Sequence, residues 1–119
     1  MSSKGIEGLI VETHNWGKSV AFWRDLGYDL EHSLVLRHPA GGPFIYLIEQ
    51  PETQNLEVKP IVAIEDSTTF TPPAAGTVQR GFEPQHWGVS EMLLLDPDRR
   101  PISVQGPLPH GVEAPEDHA

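Results

Sequence analysis

From Gly8 to His14 the chain alternates about β-branched Ile10, Val11 and Thr13, a pattern that predicts a strand. Its period of two sends Gly8, Ile10, Glu12 and His14 to one face, and Leu9, Val11 and Thr13 to the other. The period then changes. Asn15 is a favourable N-cap, and Val20, Phe22, Trp23 and Leu26 recur at helical spacing, which predicts a helix over residues 16–26. Gly27 supplies the left-handed stop. Residues 28–31, 33–37 and 44–49 read as three strands, the last two joined by the hairpin loop Pro39-Ala40-Gly41-Gly42-Pro43. The first half thus has the order β-α-β-β-β.

A polar connector over residues 50–59, containing Pro51, precedes a strand predicted at residues 60–65. A repeat of the first unit requires a helix next, but Pro72 and Pro73 limit residues 66–76 to a turn or so, because proline lacks the amide proton and clashes with the preceding turn. Strands follow at residues 77–82, 91–95 and 101–105, with Asp96-Pro97-Asp98 as a turn before the last. The expected fold class is α+β: two β-α-β-β-β-type modules, about residues 6–50 and 58–106, the second with its helix shortened or absent. They make one domain over residues 1–106, and residues 107–119, rich in Pro, Glu and His, are expected to be a disordered tail.

Composition narrows the function. The formal charge of −9 and the scattered basic residues argue against nucleic acid, whose phosphates need clustered Lys and Arg. An acidic surface either attracts cationic small molecules or simply keeps the protein in solution. The absence of cysteine excludes disulfides and thiolate metal sites. No apolar run approaches the roughly 20 residues of a membrane span, so no membrane association is expected and a cytoplasmic location is the default.

Two motifs carry a family resemblance. Asn15-x-x-x-Ser19-x-x-Phe22-Trp23-x-x-Leu26-Gly27-Tyr28 resembles the first helix of the vicinal oxygen chelate superfamily, which includes glyoxalase I, extradiol dioxygenases and bleomycin-resistance proteins. Trp87-Gly88 followed by Leu95-Asp96-Pro97-Asp98 resembles its closing segment, and the match spans roughly residues 6–106. The resemblance implies that the two modules form a cupped mixed sheet enclosing a ligand cavity, and a homodimer. It also implies a divalent metal held from the first and last strand of each module, at positions that fall on Gly8, Tyr46, Pro60 and Ser103. Glycine and proline offer no ligand, and Ser and Tyr are poor ones for Zn, Fe or Mn. A shift of one residue does not restore a ligand set, so neither metal nor other cofactor is expected.

What remains is a pocket. Ile10, Glu12, His14, Phe44, Tyr46 and Ile48 are expected to face it by alternation, with Ile45 and Leu47 packed against the helix. Trp16 is placed at its mouth, His86 and Trp87 in the closing segment, and Ser103 on the last strand. Such an apolar and aromatic lining suits a flat aromatic or cationic ligand. Glu12 and His14 share a face and would form the acid–base couple of a metal-free isomerase or lyase. Against this stands a local hydrogen-bonding role for Glu12 and a solvent-exposed one for His14. Glu91 reads as a charge on the sheet surface. The leading expectation is a metal-independent binding protein that sequesters a small molecule without transforming it. The alternatives are the metal-free enzyme and a metal-dependent glyoxalase- or dioxygenase-like one.

Overall fold

The computed structural model describes residues 3–116, and its described residues form eight strands and one helix, an α+β fold with mixed strand pairing. The chain divides into two compact units, residues 6–60 and residues 61–116 with residues 3–5.

In the first unit, β1 (Gly5–Thr13) leads through Asn15 into α1 (Trp16–Asp25). The Asn15 side chain accepts from Lys18 N at 3.0 Å, satisfying one of the amides that a helix start leaves unpaired. Asn15→Ala is expected to cost about 1 kcal/mol, read as a lower urea midpoint with unchanged slope. The helix closes one residue earlier than predicted. Gly27 N donates to Arg24 O at 2.9 Å and Tyr28 N to Trp23 O at 3.1 Å, a closure that needs the positive φ of +99° at Gly27. Three short strands follow: β2 (Asp29–Leu30), β3 (Val35–Arg37) and β4 (Phe44–Glu49). Their order is β2-β3-β4-β1, with β1 parallel to β4 and the other pairs antiparallel.

One face of this sheet is covered by α1. Val20, Leu36, Ile45 and Leu47 form its buried cluster, and Leu9, Val11, Trp16, Trp23, Tyr28 and Leu30 pack around it. Ile45 and Leu47 therefore lie on the helix side, as alternation along β4 requires.

The second unit contains β5 (Val58–Ala63), which begins in the first, then β6 (Thr77–Pro84), β7 (Val89–Leu95) and β8 (Pro101–Pro107). Their order is β5-β8-β7-β6, again with the first strand parallel to the last. Between β5 and β6 the chain makes turns and no helix; Asp66 Oδ1 accepts from Thr68 N at 2.9 Å and from Thr68 Oγ1 at 2.7 Å. Those two bonds hold the Asp66 carboxyl below the ordinary carboxylate range. Ile64, Met92, Leu94 and Val104 form the buried cluster here, joined by Phe70, Phe82 and Ile102. β6 and β7 run further than alternation predicts and meet in a hairpin, in which Gln85 N donates to Val89 O at 2.8 Å. β8 also extends, pairing Pro107 with Val89. Beyond it Leu108 and Pro109 are half-buried, and Val112 N donates to Pro109 O at 3.0 Å. Residues 117–119 of the expected tail lie outside the described residues.

Candidate functional site

On β7 the residues alternate between two faces. Met92 and Leu94 belong to the apolar cluster, and Glu91 and Leu93 point the other way. Glu91 is only 7% exposed, so the expectation of a surface charge is corrected. It is buried because it is paired. Arg80 Nη2 donates to Glu91 Oε1 and to Glu91 O, both at 2.9 Å. The β6–β7 register shifts on both sides of Arg80, and such irregularities re-aim a side chain. Arg80 Nε lies 3.3 Å from Glu83 Oε2 but makes no aligned hydrogen bond.

The second carboxylate oxygen of Glu91 anchors β8. Ser103 Oγ donates to Glu91 Oε2 at 2.5 Å, and Gln105 Nε2 donates to Ser103 Oγ at 2.9 Å. Gln105 Nε2 is also 3.5 Å from Glu91 Oε2. At the end of this chain of bonds, Trp87 Nε1 donates to Gln105 Oε1 at 3.4 Å. Trp87 lies in the β6–β7 hairpin, 50% exposed, with the His86 ring edge-on at 5.0 Å between centroids. A half-exposed indole thus rests on a buried polar network. Ser103 is fully buried, so its hydroxyl is out of reach as a nucleophile despite its contact with a carboxylate.

The remaining predicted residues lie in the first unit. Ile10 pairs with Tyr46 and Glu12 with Ile48 across β1 and β4, on the face away from α1. The Phe44 ring occupies the space over Gly8, where a Cβ would come within 2.5 Å of it, and the Arg37 guanidinium stacks on that ring at 5.2 Å. Glu12 Oε1 accepts from Glu57 N at 2.9 Å and Oε2 from Gln50 Nε2 at 3.0 Å. Its carboxylate therefore clasps the connector to β1. The exposed His14 ring lies 3.4 Å from Gln50 O through Nδ1. Trp16 packs on the helix-side cluster, with its amide donating to Glu49 Oε1 at 2.8 Å; it does not share the face of Ile10 and Tyr46.

The four positions that the resemblance assigns to a metal do not make a ligand set. Gly8 lies beneath Phe44, Pro60 has no donor, and the Ser103 hydroxyl is committed to Glu91 and Gln105. Among the described residues, no group of three or more His, Cys, Asp or Glu is arranged to hold an ion.

Arg80, Glu91 and Gln105 are the members that sequence reasoning missed. Their signal was a glutamate inside the apolar run Val89-Ser90-Glu91-Met92-Leu93, which demands a buried partner. A separate cavity of about 390 Å³ lies on the apolar face of the same unit, lined by Val62, Phe70, Pro73, Leu94, Ile102 and Val104 among others. It has no charged wall to orient a ligand.

Neither a scan against protein-family models nor a search of curated proteins returns a match to this chain. No helix among the described residues is long and apolar enough to cross a membrane.

Proposed function

We propose that this is a metal-independent small-molecule-binding protein of the glyoxalase/bleomycin-resistance type, which holds a planar aromatic compound against Trp87 without transforming it. The observation that carries the reading is the half-exposed Trp87 indole tethered through Gln105 to the buried Ser103–Glu91–Arg80 network. An exposed aromatic face held in place offers stacking at low entropic cost. The strand orders support the family resemblance, since in each unit the first strand lies parallel beside the last.

Sequestration is favoured over turnover by what the polar groups already do. Ser103 is sealed from solvent, and both oxygens of Glu12 hold the connector. Glu91 is matched by Arg80, so any preference for a cation arises from the indole face and the overall charge of −9.

Calorimetric titration with proflavine, a planar aromatic cation, and with neutral 2-naphthol tests the reading. Both are expected to bind, proflavine more tightly. Trp87→Ala is expected to weaken each by about tenfold, the equivalent of about 1.4 kcal/mol of lost stacking. If neither compound binds, or if binding is indifferent to Trp87, the reading fails.

A further inference from the structure

We propose that Ser103 and Glu91 are positioning residues: they set the direction of a hydrogen-bond chain that ends on the Trp87 indole and holds it in one orientation. This deepens the reading of Trp87 as the ligand platform and rests on it for its functional meaning.

The direction follows from the donor and acceptor inventory. An ionised carboxylate only accepts, so the Ser103 hydroxyl points its proton at Glu91 Oε2. That leaves a Ser103 lone pair facing Gln105, which the amide nitrogen satisfies at 2.9 Å. With Nε2 turned to Ser103, Oε1 must face outward, where it accepts from Trp87 Nε1 at 3.4 Å. The last bond is long and weak by itself. Its value lies in the fixed orientation of the acceptor, which is set two residues away. Arg80 completes the chain by occupying the other Glu91 oxygen, so the carboxylate cannot turn to offer Ser103 a different geometry.

If the Ser103 hydroxyl is removed, the Gln105 amide loses the nearer of the two contacts that distinguish its ends and keeps only the 3.5 Å approach of Nε2 to Glu91 Oε2. A flipped amide presents an N–H to the indole N–H, donor against donor, and the indole is released. Ser103→Ala removes one oxygen and leaves Glu91 still paired with Arg80, so the fold is expected to survive.

The experiment follows the indole N–H resonances of Trp16, Trp23 and Trp87 in ligand-free, 15N-labelled protein, with Trp87 assigned from its loss in Trp87→Phe. In Ser103→Ala the Trp87 signal is expected to move toward that of a solvated indole and to exchange with water about twofold faster, the effect of losing one weak hydrogen bond. The Trp16 and Trp23 signals stay in place. Gln105→Leu, which removes the acceptor, is expected to produce the same change, and adding Ser103→Ala to it changes nothing more. A Trp87 signal in Ser103→Ala that keeps its wild-type position and exchange rate overturns the proposal. So does an equal shift of all three indoles, which marks general loosening. Proflavine titration of Ser103→Ala is expected to show about fivefold weaker binding. Failure of the wild-type protein to bind proflavine and 2-naphthol counts against the functional reading alone, because the orientation of the indole is read without ligand.

Discussion

Glu91→Ala is expected to lower the melting temperature by on the order of 10 °C, from a loss of about 3 kcal/mol. The substitution removes the acceptor of three side chains at once. Arg80 loses its ion-pair partner and keeps only the bond from Nη2 to the residue 91 carbonyl, Ser103 loses the acceptor of its hydroxyl proton, and Gln105 loses a secondary contact. Ser103 and Gln105 are buried and have no water to turn to. Breaking a buried pair from one side costs more than the pair itself contributes, because the abandoned group stays desolvated. Arg80 softens the blow, since its side chain is 31% exposed and part of its charge can reach solvent; this places the estimate at the low end of the range for buried pairs, about 3 kcal/mol. Glu91→Gln keeps an oxygen for Ser103 and is expected to lose about half as much. Differential scanning calorimetry decides the matter: a fall of less than roughly 2 °C for Glu91→Ala contradicts the network as described.

Leu36→Ala is expected to destabilise the protein by about 3 kcal/mol, within the usual span for a fully buried leucine. Leu36 is 1% exposed and sits at the centre of β3, among Val20, Ile45 and Leu47. β3 has only three residues, so little else on that strand holds it to the helix side. α1 is ten residues long with Val20 as its buried residue, too short to persist without packing. The loss therefore spreads. Near-ultraviolet dichroism from Trp16 and Trp23, which pack on the same cluster, is expected to weaken along with the urea midpoint. A midpoint shift worth under about 1 kcal/mol would show that the site relaxes to fill the gap.

Local patterns were legible where one face of an element is apolar and the other is not. The helix after Asn15, its stop at Gly27 and all eight strands could be read from period and turn chemistry, with ends displaced by a few residues. The missing second helix could be read from Pro72 and Pro73, whose rings and absent amide protons act through their immediate neighbours. Trp16 shows the limit. Its place at the start of the helix was legible, but its packing depends on a cluster of Val20, Leu36, Ile45 and Leu47, of which the last three arrive from later strands. Glu12 was legible as a carboxylate in need of donors; that Gln50 and Glu57 supply them depends on how the connector returns to β1.

Strand content, the helix and its caps, the turns and the overall acidity were set by short-range rules, because backbone sterics and side-chain alternation operate over a few residues. The burial of Glu91 was decided only when β6 and β8 brought Arg80, Ser103 and Gln105 to it. A carboxylate in an apolar strand has no fixed fate in one dimension. Whether it is a solvated charge or the anchor of a polar network depends on which donors the register sets opposite it, and register belongs to the assembled sheet.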